Sequence, residues 1–232
     1  MKKDVIIACD FSNKEQTLAF LDKFQDRKPF VKIGMELFYA CGPEFVREIK
    51  SRGHKIFLDL KLHDIPNTVK KTMHVLSMLD VDMCNVHAAG GIEMMKYALE
   101  GLTREDGTRP LLIAVTQLTS TSEEMLHKEL LIGSTMQGTI VQYAKNAQTA
   151  GLDGIVCSPL EAGLIKQQVG SSFLTITPGI RFADSKKDDQ VRITTPARAK
   201  EIGSDFIVVG RPITMAEDPV AAYTKCCMEF NP

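Results

Sequence analysis

The amino-acid sequence predicts an α/β protein closed into a (β/α)8 barrel, a TIM barrel, as one domain over residues 1–232. Three observations predict it. Eight short β-rich runs alternate with eight longer helical patterns, which is the rhythm of a βα-repeat fold. No linker, low-complexity tract or change of composition interrupts the series. Charged residues and glycines gather just after the strand runs, where barrels keep their chemistry. On pattern alone the alternative is a doubly wound open sheet.

The elements follow in order. Residues 5–9 are five apolar residues ending at Asp10, too short for a signal peptide and suited to a first strand. A helical pattern covers 15–24. The second strand, 30–33, precedes a helix at 43–51, and the third, 56–60, precedes one at 69–79. Strands at 82–86, 111–115 and 154–157 lead to helices at 92–102, 139–150 and 160–169. The last two units pair strands 174–177 and 206–209 with helices 196–202 and 219–229. The longest polar stretch, 181–194, follows strand seven. A loop of that length in so short a barrel is more often a functional lid than filler.

Composition removes several classes of function. Lys and Arg number 28 against 29 Asp and Glu, a formal net charge of −1, so nothing electrostatic favours nucleic acid or an anionic membrane as a partner. No apolar run approaches membrane-spanning length. Six cysteines show no Cys-x-x-Cys spacing, and Cys9, Cys84 and Cys157 fall in predicted strands as small buried apolar residues would. Free thiols in a reducing cytoplasm are the expectation.

The most informative segment is Asp59-Leu60-Lys61-Leu62-His63-Asp64-Ile65-Pro66-Asn67-Thr68. Side chains alternate faces along a strand, so Ile56, Leu58, Leu60 and Leu62 share one face and Phe57, Asp59 and Lys61 the other. An inward Asp and Lys are costly to desolvate unless paired. The plain reading is a structural ion pair; the sharper one is a catalytic pair. The other strand ends favour the sharper one. Asp10 follows strand one and Lys32 lies in strand two, so three adjacent strands present Asp, Lys, Asp and Lys. Strands seven and eight carry the other half: Pro178-Gly179-Ile180-Arg181 and Val209-Gly210-Arg211 are Gly-plus-Arg turns where barrels commonly bind phosphate. His63 and His87 have no adjacent Ser or Cys nucleophile, and a structural role is the simpler reading of each. Lys61 between Asp59 and Asp64 argues against a divalent metal there.

These residues resemble the orotidine 5′-monophosphate decarboxylase family. Further matching segments are Val31-Lys32-Ile33-Gly34, Asn85-Val86-His87-Ala88-Ala89-Gly90-Gly91, Thr116-Gln117-Leu118-Thr119-Ser120, Thr177-Pro178-Gly179-Ile180-Arg181, Asp189-Gln190-Val191-Arg192 and Val208-Val209-Gly210-Arg211, in the family's order along nearly the whole chain. The resemblance implies a homodimeric carboxy-lyase of pyrimidine biosynthesis with no metal or organic cofactor. It implies that Lys32, Asp59 and Lys61 form a charge network completed by Asp64 from the partner subunit, with Lys61 as proton donor. Ile65 and Thr68 accompany Asp64 across the interface. Asp10 and Lys32 meet the ribose, Thr119 the pyrimidine edge, and Gln190 bridges base and phosphate. Arg181, Gly210 and Arg211 take the phosphate side. Two other readings remain at this stage. One is a metal-dependent sugar-phosphate decarboxylase or aldolase of the same superfamily, which typically has an acidic residue in place of Lys32. The other is a non-catalytic nucleotide-binding barrel, which has no need of Lys61.

Overall fold

The computed structural model describes residues 3–183 and 194–231. Eight parallel strands close in sequence order, β1 to β8, with β8 paired back to β1. They are β1 (Asp4–Ala8), β2 (Phe30–Gly34), β3 (Ile56–Leu62), β4 (Met83–His87), β5 (Leu111–Val115), β6 (Gly154–Val156), β7 (Leu174–Thr177) and β8 (Phe206–Val209). The barrel expectation therefore holds, and the open sheet does not.

Helices cover the outside: α1 (Lys14–Leu21), α2 (Met35–Ser51), α3 (Pro66–Ser77), α4 (Gly91–Leu102), α5 (Glu123–Lys128), α6 (Met136–Thr149), α7 (Pro159–Val169), α8 (Pro196–Ile202), α9 (Arg211–Thr214) and α10 (Pro219–Phe230). Three departures from the sequence expectation have physical causes. α5 and α9 are too short to show a 3.6-residue period. α2 starts eight residues before the expected helix at 43–51, because Gly42-Pro43 reads as a breaker. Gly42 does break the helical path, at φ 75° and ψ 179°, but helix continues on both sides. Pro43 then opens the second half, where a missing N–H costs nothing.

Alternation of side chains divides the core in two. Ile6, Ala8, Phe30, Phe57, Met83, Ile113, Ile176, Phe206 and Val208 fill the barrel's interior. Their neighbours in sequence, such as Val5, Ile7, Val31, Leu58, Cys84 and Ile207, pack outward against the helices. Leu60 joins this outer layer, so the parity reading of β3 is correct.

At the N-terminal rim one device recurs at three of the gaps between strands. Asp82, Asp153 and Asp205 each immediately precede an even-numbered strand. Each accepts, through one carboxylate oxygen, a backbone N–H of the preceding odd strand: Ile56 at 2.8 Å, Leu112 at 2.7 Å and Thr175 at 2.8 Å. Each also pairs with a cation: Lys50 at 2.8 Å, Arg109 at 2.5 and 2.9 Å, and Lys166 at 2.5 Å. The opposite rim carries the charges expected to react.

Candidate active site

Register sets the site. Ala8, Lys32 and Phe57 stand side by side on β1, β2 and β3, and Gly34 stands beside Asp59. Lys32 and Asp59 thus point inward near the C-terminal mouth, above a floor of apolar side chains. Lys32 Nζ lies 2.9 Å from Asp10 Oδ1 and 3.3 Å from Asp59 Oδ2. Lys61 Nζ lies 2.6 Å from Asp59 Oδ1. The expected order Asp10, Lys32, Asp59, Lys61 is a continuous chain of ion pairs. Gly34 leaves room for it, since a Cβ there would come 3.3 Å from Lys32 Nζ.

Electrostatics reinforces the chain. Burial alone would lower the Lys32 ammonium, but Asp59 and Asp10 outweigh it and hold its pKa above the ordinary lysine value. Burial alone would raise Asp59; Lys32 and Lys61, with hydrogen bonds from Lys61 and Asn85, hold it below the ordinary carboxylate value instead. A buried carboxylate between two ammonium groups stays ionised.

Lys61 has an uncommon backbone, with φ at 51°. Pairing of β3 with β4 runs Phe57 to Met83 and Leu58 to Cys84, then resumes at Leu62 to Val86. Asp59, Leu60 and Lys61 therefore stand opposite Asn85 alone. Such bulges re-aim side chains beside functional sites. The Asn85 side chain occupies the gap: Oδ1 accepts from Lys61 N–H at 2.8 Å and Nδ2 donates to Asp59 Oδ1 at 2.7 Å. The sequence reading includes Asn85 only as part of a matching segment and assigns it no role. Its signal was a carboxamide on the inward face of β4, in step with Met83.

Two cavities meet over this chain. One, of about 240 Å³, is lined by Lys32, Asp59 and Lys61 on one side and by Val115, Thr119 and Val156 on another. The second, of about 620 Å³, is lined by Asp10, Gly179, Arg181, Gly210 and Arg211. Lys32, Pro178 and Val208 wall both. Gly210 sits against the start of the charged chain: a Cβ there would lie 3.6 Å from Ala8 Cβ and 3.9 Å from Asp10 Oδ2. Arg181 is buried and donates from Nη1 to the Ile180 carbonyl at 2.8 Å. Arg181 N donates to Thr194 O at 2.9 Å and Thr194 N to Gly179 O at 3.0 Å. These two bonds bring Arg181 and Thr194 together beside the second cavity; the lid expected between them lies mostly outside the described residues. Gln190 lies outside the described residues.

Asp64, Ile65 and Thr68 do not join these cavities. Asp64 is exposed and accepts from the N–H of Ile65 at 2.6 Å, and Ile65 itself is 68% exposed. With Tyr39 and His63, Asp64 and Thr68 line a third recess at the end of β3, which shares Lys61 with the smaller cavity. The His63 and His87 rings face each other with centroids 5.9 Å apart. Burial, then His63 and Lys61, lower the pKa of His87, with Asp59 opposing. Among the described residues, no three or more His, Cys, Asp or Glu side chains gather as a metal site, and no helix is long and apolar enough to cross a membrane.

A closed barrel with reactive charge at its C-terminal mouth defines the class: this is a (β/α)8-barrel enzyme. Comparison with known proteins narrows it. Residues 3–226 match the "Orotidine 5'-phosphate decarboxylase / HUMPS family". The orotidine 5'-phosphate decarboxylase of Staphylococcus saprophyticus is 60% identical over 225 residues, 97% of each chain. That of Geobacillus sp. (strain WCH70) is 55% identical over 234 residues, covering 100% of this chain and 98% of the relative. The crystal structure of orotidine 5'-phosphate decarboxylase from Lactobacillus acidophilus superimposes with a TM-score of 0.90 at 44% identity, over 100% of both chains. The chain belongs to the orotidine 5′-phosphate decarboxylase family.

Proposed function

We propose that this chain decarboxylates orotidine 5′-phosphate to uridine 5′-phosphate and CO2 in pyrimidine biosynthesis. One observation carries the reading: the Asp10–Lys32–Asp59–Lys61 chain runs beneath two adjoining cavities, one largely apolar and one with arginines. That order matches the substrate, which is a pyrimidine, then a ribose, then a phosphate. The pyrimidine enters the smaller cavity, with Thr119 at its polar edge and the C6 carboxylate toward Asp59 and Lys61. Asp10 and Lys32, at the junction, take the ribose hydroxyls. Gly210, Arg211 and Arg181 take the phosphate, and Gln190 bridges base and phosphate.

Decarboxylation breaks the C6–carboxylate bond and leaves its electron pair on C6, in an orbital the ring delocalises poorly. An ammonium held beside C6 stabilises that charge as it develops. Lys61 is that ammonium; it then gives C6 a proton and regains one from solvent. Asp59 fixes Lys61 and lies near the departing carboxylate. At 4 Å and an effective dielectric near 20, two such charges repel by about 4 kcal/mol, and loss of CO2 relieves it. Phosphate contacts lie away from the reacting bond, so their binding energy contributes to the rate by fixing the substrate over the charged chain.

The active unit in this reading is a homodimer. Asp64, Ile65 and Thr68 project away from their own cavities and reach the partner's site. The whole chain acts as one barrel domain. Its free cysteines suit a reducing cytoplasm. The test is steady-state assay with orotidine 5′-phosphate, with and without chelator. Turnover is expected in both, and loss with chelator would favour a metal-dependent relative. Lys61→Ala abolishes turnover in a folded protein; activity within about tenfold of wild type would remove Lys61 as proton donor.

A further inference from the structure

We infer that Asn85 is the positioning residue for Lys61: its carboxamide replaces the strand pairing that β3 lacks at its reactive end and holds the ammonium against Asp59. This rests on the reading of Lys61 as proton donor.

The need for such a residue comes from the backbone. Three residues of β3 stand opposite one of β4, so regular pairing cannot serve the Lys61 N–H. Lys61 also takes a left-handed conformation, at φ 51°, that residues with a Cβ adopt uncommonly. Asn85 supplies the constraint. It is 1% exposed, its Oδ1 accepts from Lys61 N–H at 2.8 Å, and its Nδ2 donates to Asp59 Oδ1 at 2.7 Å. Lys61 Nζ donates to that same oxygen at 2.6 Å. The contacts form a closed ring: Asn85 to the Lys61 backbone, along the Lys61 side chain to Asp59, and back to Asn85. Asp59 Oδ2 is left to face Lys32.

The chemistry of the ring selects an amide. One end must accept from a backbone N–H, while the other must donate to a carboxylate. Ionised aspartate has no donor, and leucine has neither group. A carboxamide on β4 does both without adding charge beside Asp59. Asn85 lines neither cavity, so its effect on substrate passes through Lys61 and Asp59.

Two full-length variants test this. Asn85→Ala should lower kcat on the order of a hundredfold, the scale of loss when a reacting group is misplaced. KM and the Kd for uridine 5′-phosphate should stay within about threefold, because the arginine-lined cavity is not reached by the change and this nucleotide has no C6 carboxylate to meet Lys61 and Asp59. Asn85→Asp keeps the shape but sets a carboxylate against Asp59. Both cannot remain ionised comfortably, so the pair's proton affinity rises. Asn85→Asp should be impaired at alkaline pH and regain activity as pH falls, when a proton restores the missing donor. Wild type should lack that rise. An Asn85→Ala kcat within about threefold of wild type would overturn the inference. So would an Asn85→Asp pH profile parallel to wild type, which decides alone if the alanine variant does not fold. Lys61→Ala is measured alongside. If it stays active, the proton-donor reading fails; if it is dead while Asn85→Ala is active, only the positioning role fails.

Discussion

Replacing Asp59 with asparagine keeps its shape and removes the single negative charge between two ammonium groups. The structure sets the size of the effect. Asp59 lies 2.6 Å from Lys61 Nζ and 3.3 Å from Lys32 Nζ, attractions of about 6 and about 5 kcal/mol at an effective dielectric near 20. Those are gross values; breaking a buried pair by removing one partner typically costs roughly 3–5 kcal/mol. With Asp59 neutral, Lys61 loses its anchor, and its ammonium is repelled by that of Lys32. If the loss falls on the transition state, kcat for orotidine 5′-phosphate drops by roughly two to four orders of magnitude. The assay is kcat and KM at fixed pH, with circular dichroism to verify the fold. An Asp59→Asn kcat within about tenfold of wild type would refute the claim that this carboxylate holds the reactive ammonium in place.

Other expectations follow from the same geometry. Lys61→Ala and Asp64→Ala should each be inactive alone, yet regain activity when mixed, because one site of a heterodimer is then native; absence of recovery with proven subunit exchange would place Asp64 outside the site. Arg211→Ala should weaken uridine 5′-phosphate binding by roughly ten- to hundredfold, the worth of a charge-assisted bidentate contact, while barely changing uridine binding. Equal losses in calorimetry would mean that Arg211 does not meet the phosphate. Acid should destabilise the fold through Asp59. Its folded-state pKa is lowered, so its contribution is complete above the unfolded value, about 3.9, and is lost as pH falls through the folded one. His54, lowered by burial against its contact with the Pro29 carbonyl, and His87 act earlier. The unfolded state takes up their protons first, so stability begins to fall below about pH 6.5. Denaturation midpoints across pH, in wild type and His54→Gln, should show that limb shrink in the variant.

Much of this was legible in the residues because barrels obey local rules. Alternating apolar runs located all eight strands to within one or two residues, and parity placed Phe57, Asp59 and Lys61 on the inner face. The partners of those residues were less legible. Parity tells which face a side chain takes but not which residue stands across from it. The extra residues of β3 opposite Asn85 therefore left no mark in the pattern. A buried carboxamide on β4 looks like any polar core residue until the Lys61 N–H is found pointing at it. Asp64 is readable as a residue that leaves the strand, yet one chain cannot show what it meets.

The aspartates at the N-terminal rim bear on how the barrel assembles. Asp82, Asp153 and Asp205 each join an odd strand to the even strand that follows it, using a cation drawn from the segment just before the odd strand. Each fastener thus closes within one two-strand unit of chain. The smallest piece that carries its own clasp is such a unit, and three of the four quarters of the barrel have one. Contacts that close within so short a stretch of chain cost less loop entropy than pairings between distant strands, and contacts of low sequence separation go with faster folding. Barrel closure, where β8 meets β1, is the step that must span the whole chain, and this rim clasp does not serve it.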